Sequence, residues 1–190
     1  MIRPCTDADL SEMYDIVNDA ARAYKGVIPA DRWHEPYMPM DELKAEIHDG
    51  VQFWGADDNG RLVGIMGVQD KGPVTLIRHA YVRTALRNRG IGTRLLRHLE
   101  QLTGKPILIG TWTAASWAIR FYEKNYYRVL SRDDTERLLK KYWKIPERQV
   151  VTSTVLARTA SFSWKNGINP PNNDTRNKGG RNANDRPSGL

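Results

Sequence analysis

The order of apolar and polar positions divides the chain into alternating helical and extended segments. Leu10, Met13, Tyr14, Val17, Ala21 and Tyr24 recur at helical spacing, which lays one apolar stripe along a helix. Thr6 and Asp9 ahead of it stand as a capping box would, and Gly26 is a natural stop. Residues 26–39, with Pro29, Trp33, His34, Pro36 and Tyr37, read as a long aromatic loop. Met40, Leu43 and Ile47, closed by Gly50, predict a short second helix. Residues 51–56 and 61–68 flank Asp57-Asp58-Asn59-Gly60, the pattern of strand, turn and strand.

A third strand is predicted over residues 74–82. Ile91, Leu95, Leu99 and Leu102 then mark an amphipathic helix that stops at Gly104. Residues 106–112 are mostly apolar, as a buried strand requires. A helix over 116–124, a strand over 126–130, a charged helix over 133–143 and a Val- and Thr-rich strand over 149–157 complete the pattern. The alternation predicts a single α/β domain with a mixed sheet over residues 1–158. Residues 159–190 are rich in Asn, Gly and Pro and lack apolar periodicity. They are expected to form a flexible polar and basic tail, because they cannot bury enough surface to offset their ordering entropy.

Composition narrows the function classes. With 40% hydrophobic and 27% charged residues in a chain of 190, wholesale disorder is excluded. The longest apolar run, residues 62–68, is far short of the roughly 18 residues of a spanning helix. The start, Met1-Ile2-Arg3-Pro4-Cys5, lacks a basic-then-apolar signal pattern, so a cytoplasmic protein is expected. Cys5 is the only cysteine, which excludes an internal disulfide and a cysteine-based zinc site. It has no partnered base and reads as inert. Four scattered histidines without ligand spacing point to no metal. The net charge of +7 suggests an anionic ligand, yet residues 161–190 hold five basic and two acidic side chains, leaving the rest of the chain at +4. That is a mildly basic domain, without the charge of a dedicated nucleic-acid binder.

The segment from Val82 to Leu96 carries the chemistry. It passes from a strand end, through Arg87-Asn88-Arg89-Gly90-Ile91-Gly92, into the first turn of a helix. Unpaired N–H groups and the positive dipole end at such a start attract phosphate. Gly90 and Gly92 allow close backbone approach, while Arg87 and Arg89 add charge. Leu95 stands where a dinucleotide-binding fingerprint needs its third glycine, and no Gly-Lys-Ser/Thr completes a P-loop.

This segment resembles the first cofactor-binding motif of the GNAT family of N-acetyltransferases, Arg/Gln-x-x-Gly-x-Gly/Ala, through Arg87, Gly90 and Gly92. Upstream, Val82 and Arg87 fit the family's Val-x-Pro-x-x-Arg, with Thr84 in place of proline. Downstream, Ala118-Ile119-Arg120-Phe121-Tyr122-Glu123-Lys124 is similar to the family's Asn-x-x-Ala-x-x-Leu/Phe-Tyr-Glu-Lys-x-Gly-Phe. Ala115 replaces the asparagine, and Tyr126 the glycine, with Asn125 expected to supply the left-handed cap instead.

The resemblance implies a splayed GNAT-like sheet and a transfer of the acetyl group of acetyl-CoA to a primary amine, by direct attack on the thioester. By the same resemblance Tyr81, Val82, Arg87, Asn88, Arg89, Gly90, Ile91, Gly92, Thr93, Ala118 and Tyr122 hold the cofactor. Val82 would polarise the thioester carbonyl, and Tyr122 would protonate the leaving thiolate. Trp33, His34, Tyr37 and Trp112 are expected at the acceptor site, whose amine is a small molecule or a peptide. His79, alternating with Ile77 and Tyr81, is the candidate general base, with His34 and Glu35 behind it. His48 and His98 fall in helical surface patterns and receive no role, while Arg83, Arg94 and Arg97 form either a 3′-phosphate contact or a solvated face. A homodimer is implied by family habit alone, and no membrane or nucleic-acid partner is expected.

Two other readings stay open. One is a non-catalytic acyl-CoA-binding or regulatory domain, favoured by Ala115. The other is a nucleic-acid- or ribosome-associated protein acting through its basic tail.

Overall fold

Seven strands form one mixed sheet in the order β1-β2-β3-β4-β5-β7-β6. A computed structural model describes residues 1–158, so the predicted tail, 159–190, lies outside the described residues. The strands are β1 (Ile2–Pro4), β2 (Gln52–Asp58), β3 (Arg61–Asp70), β4 (Thr75–Val82), β5 (Ile107–Trp112), β6 (Tyr127–Val129) and β7 (Ser153–Arg158). Helices α1 (Leu10–Ala21), α2 (Met40–His48), α3 (Ile91–Gln101), α4 (Ser116–Lys124), α5 (Arg132–Tyr142) and α6 (Glu147–Thr152) connect and cover them. All neighbouring strands are antiparallel except β4 and β5. The result is the expected single α/β domain.

The apolar stripes set which face each helix buries. Ile91, Leu95, Leu96 and Leu99 of α3 pack with Met66, Ile77 and Ile109 on one face of the sheet. Met13, Ile16 and Val17 of α1 join Leu43 of α2 and Phe53, Leu62 and Ile65 on the other. Leu138 and Leu139 of α5 extend that second layer over Leu76, Leu108 and Val155. The Thr6–Asp9 capping box forms, opening a single 3₁₀ turn that leads into α1. Arg3 grips the same carboxylate, at 2.8 Å, and Asp57 at 3.0 Å, tying β1 to the helix start.

Three local readings are corrected. Residues 149–152 are helical: the amides of Gln149 and Val150 bond to the Pro146 carbonyl, and Val150 turns into the α5 layer. The strand begins only at Ser153. His98 is half-buried, its ring 4.5 Å from that of Trp54, whereas His48 is exposed as expected. The left-handed residue after α4 is Tyr126 itself (φ 69), while Asn125 keeps φ −102 and donates its side-chain amide to the Phe121 carbonyl.

Tyr126 is 71% exposed, so its strained backbone gains little packing in return. An L-residue in that region costs about 1–2 kcal/mol, of which glycine's extra chain entropy would return about 0.5–1. Tyr126→Gly is therefore expected to stabilise by about 0.5–1 kcal/mol, a rise of about 1–4 °C in melting temperature. Thermal unfolding of the two proteins measures it; an unchanged or lower midpoint would show that the turn is unstrained.

Candidate active site

The strands β4 and β5 pair only at Thr75–Ile107, Leu76–Leu108 and Ile77–Ile109. Beyond these pairs β4 stays with β3 as far as Gly64–Val82, and β5 stays with β7 as far as Trp112–Ser153. Arg78–Val82 and Gly110–Trp112 are thus left facing a gap, and a cleft of about 1000 Å³ opens there. The divergence has a local cause in β4. Gly67 pairs with Arg78 and Ile65 with Tyr81, so His79 and Ala80 oppose Met66 alone, and His79 takes φ 51. Such a bulge bends its strand and raises its twist. Past the bulge the Arg83 amide bonds to the Val63 carbonyl at 3.0 Å. By the alternation of an antiparallel ladder, the Val82 N–H then points away from β3, into the gap.

The basic loop lies at one end of this cleft. Gly90 caps α3 with φ 74, and no side chain caps the helix. The Arg94 amide makes the first helical bond, to the Gly90 carbonyl, so the N–H groups of Ile91, Gly92 and Thr93 precede the ladder. A Cβ on Gly90 would meet nothing within 4 Å, whereas one on Gly92 would lie 3.3 Å from the Phe121 ring. Gly90 therefore keeps the backbone left-handed, and Gly92 lets α3 approach α4. Asn88, Gly90, Ile91, Gly92 and Thr93 all line the cleft.

The arginines divide. Arg87 lines the cleft but donates to the Ala20 carbonyl at 2.9 Å, where its charge also faces the C-terminal end of α1. The Thr84 amide bonds to the Asp19 carboxylate at 2.6 Å and its hydroxyl to the Asp19 carbonyl at 3.3 Å, so Thr84 and Arg87 both fasten the loop to α1. Arg83 donates to the Leu62 carbonyl and approaches Glu12, a structural placement. Arg89, Arg94 and Arg97 do not line the cleft; Arg120 and Lys124 of α4 do.

Tyr122 and Ala118 reach the cleft from α4. The Tyr122 ring is buried edge-on to Phe121 (4.9 Å) and Tyr127 (6.1 Å), and burial holds its phenol well above the usual pKa, hence protonated. Among the described residues its hydroxyl has no hydrogen-bond partner. Ala115 is fully buried with Ile28 and Trp112, outside the cleft wall.

The other end is built from α2, the bulge and the aromatic loop. Nε2 of His79 lies 3.4 Å from Oε2 of Glu46, and the same carboxylate meets Arg78 at 2.7 Å. Burial pushes the Glu46 carboxyl up, but His79 and Arg78 outweigh it and leave its pKa lowered. Tyr37 accepts from Trp112 Nε1 at 3.1 Å and stacks with Trp33 (5.6 Å) and His34 (6.2 Å). Trp33 does not itself line the cleft; it backs Tyr37, whereas His34, Tyr37, Trp112 and Tyr81 line it. Burial raises the phenols of Tyr37 and Tyr81. The segment between β6 and β7 borders this end too: Trp143 lies over Gly110, Lys144 pairs with Asp49, and Arg148 pairs with Asp31 at 2.6 Å.

Sequence reasoning passed over Glu42, Glu46 and Tyr24, all of which line the cleft. The acids at positions 42 and 46 carry a readable signal, since an i,i+4 pair shares one helix face. Among the described residues no group of three or more His, Cys, Asp or Glu side chains is placed to hold a metal. No described helix is long and apolar enough to cross a membrane.

Residues 49–129 match the family model of the acetyltransferase (GNAT) domain. No curated protein matches the sequence. Among solved structures, a GNAT-family acetyltransferase from Staphylococcus aureus Mu50 is 22% identical with a TM-score of 0.60, covering 83% of this chain and 97% of its own. The PaiA N-acetyltransferase from Thermoplasma acidophilum, solved with coenzyme A, is 17% identical with a TM-score of 0.64, covering 84% and 98%. The ribosomal-protein-S18-alanine N-acetyltransferase from Escherichia coli is 16% identical with a TM-score of 0.57, covering 87% and 97%.

Proposed function

We propose that this chain, which carries an acetyltransferase domain of the GNAT family, transfers the acetyl group of acetyl-CoA to a primary amine by direct attack. The observation that carries this reading is the split between β4 and β5, which opens beside the unpaired amides at the start of α3. The open space over Gly90 and those amides fit a pyrophosphate, and a structural neighbour was solved with coenzyme A. Acetyl-CoA supplies the activated acyl group as a thioester.

The residues divide the remaining work. The amides of Ile91, Gly92 and Thr93 hold the phosphates, and Ala118 leaves room along α4. The Val82 N–H donates to the carbonyl oxygen as negative charge develops on it. His79, set against Glu46, accepts the proton of the attacking amine, since Glu46 stabilises the imidazolium that results. Tyr122 keeps its proton until the thiolate departs and then donates it. Placing amine and thioester together in one cleft supplies much of the rate.

The test is a calorimetric titration with acetyl-CoA, CoA and NADH. Acetyl-CoA and CoA are expected to bind at micromolar concentrations while NADH stays silent, and addition of an amine should then release free thiol. Absence of acetyl-CoA binding would overturn the reading. The non-catalytic alternative rested on Ala115, which is packed away from the cleft, so no observation favours it. The nucleic-acid alternative rested on residues outside those described.

A further inference from the structure

One buried amide stands behind His79. Gln69 of β3 is 1% exposed, and an amide buried to that degree is costly unless its hydrogen bonds are made. Its Nε2 donates to the Asp49 carbonyl at 2.7 Å and to the Asp49 carboxylate at 3.0 Å, while its Oε1 accepts from Arg78 Nη1 at 3.1 Å. The amide cannot turn over, because its oxygen would then face the oxygens of Asp49 and its NH2 group the guanidinium. Asp49, just past α2, is itself held by Lys71 at 3.4 Å and by Lys144. Gly67 opposes Arg78 in the ladder, so Gln69 is the next side chain on that face of β3, one diagonal step from Arg78.

This anchor decides what Arg78 offers Glu46. Nη2 donates to Glu46 Oε1 at 2.9 Å. Nη1 lies 2.7 Å from Oε2, but its N–H is directed to Gln69, and Oε2 is buried without a hydrogen bond. Nε2 of His79 is likewise buried and unbonded, and these two atoms face each other at 3.4 Å. A lone pair on Nε2 would be repelled by the carboxylate oxygen, whereas an N–H is attracted to it. Nε2 therefore carries the ring proton and Nδ1 keeps the lone pair. Nδ1 has no hydrogen bond among the described residues, and the ring lines the cleft. Phe53 of β2 flanks the imidazole, its ring 5.7 Å away, and Glu42 of α2 is a further acid whose charge reaches it.

We infer that Gln69 is a positioning residue for the base: by holding Arg78 Nη1 it reserves Glu46 Oε2 for the Nε2–H of His79 and leaves Nδ1 to take the proton of the attacking amine. This rests on the acetyltransferase reading, in which His79 is that base. One N–H bond of the amine breaks as the Nδ1–H bond forms, and the imidazolium keeps its Nε2–H against Glu46. Without the Gln69 amide, Nη1 has only Glu46 to turn to and competes for Oε2.

The experiment reads the tautomer of the neutral ring at alkaline pH, by nitrogen NMR of the full chain carrying isotope-labelled histidine, with His79→Gln identifying the signal. The wild type is expected to favour Nε2–H over Nδ1–H by about tenfold or more, the scale of one hydrogen bond to a charged group. Gln69→Met, which keeps the length of the side chain, should lower that ratio by about fivefold or more and leave acetyl-CoA affinity unchanged. In Arg78→Met, which has no guanidinium to turn onto Oε2, adding Gln69→Met should leave the ratio within about twofold. A dominant Nδ1–H form in the wild type would overturn the assignment without any variant. An unmoved ratio in Gln69→Met, or a fall of the same size in the Arg78→Met background, would overturn it as well. Calorimetry on the same samples separates the two readings: bound acetyl-CoA with an unmoved ratio removes the role of Gln69 alone, whereas absence of acetyl-CoA binding removes the transferase reading and this role with it.

Discussion

Tyr122→Phe is expected to lower the turnover of acetyl transfer by about a hundredfold while leaving acetyl-CoA affinity and the melting temperature unchanged. General acid catalysis contributes about a hundredfold or more where a positioned donor protonates the leaving atom. The phenol can do this because burial keeps its proton on, and because the hydroxyl has no competing partner among the described residues. The ring is fixed by Phe121 and Tyr127 through its edges and face, so phenylalanine fits the same space. Steady-state kinetics with the free amine, alongside calorimetry, separates the effects. Unchanged turnover would remove the acid role, and weakened donor binding would mean that the hydroxyl holds the donor instead.

Gly90→Val acts at the opposite end of the cleft and is expected to weaken acetyl-CoA binding by about a hundredfold. The residue sits at φ 74, where a β-branched side chain is strained whatever the surrounding space. To relieve that strain the loop must rotate, and the amides of Ile91, Gly92 and Thr93 lose their common direction. Two lost amide–phosphate bonds, at about 1.5 kcal/mol each, account for the factor. Gly104→Val is the control: that glycine also has nothing near its Cβ, but it is outside the left-handed region and away from the cleft. Calorimetric affinities should fall for the first variant and hold for the second. Equal affinities for both would place the phosphates elsewhere.

What could be read in the sequence was what neighbours along the chain decide. The α3 stripe of Ile91, Leu95 and Leu99, the Asp57–Gly60 turn and the Thr6–Asp9 box are all set within about one or two helical turns or one hairpin. The motif residues of the α3 loop and of α4 were legible for the same reason, being contiguous. Residues 149–152 looked like strand because Val and Thr favour it, yet Pro146 opens a helix and Val150 finds an apolar seat against α5. Arg87 looked free for a ligand, and only the arrival of Ala20 from far along the chain shows its second partner. The β4 bulge, the split it produces and the placement of Glu42 and Glu46 against it depend on packing between distant segments. No local pattern announces them.

The split sheet also has a mechanical meaning. Four strands, β1 to β4, and three, β5 to β7, meet along a seam of three residue pairs. Leu76, Ile77, Leu108 and Ile109 seal it completely. Beyond them the two blocks have no rungs in common, and anything seated in the gap touches both. A ligand bound there is a removable part of the architecture, and its affinity doubles as cohesion. At a hundred times its dissociation constant it adds about 2.7 kcal/mol to the folded state. Linkage makes the exchange mutual: whatever loosens the seam loosens the ligand by the same free energy.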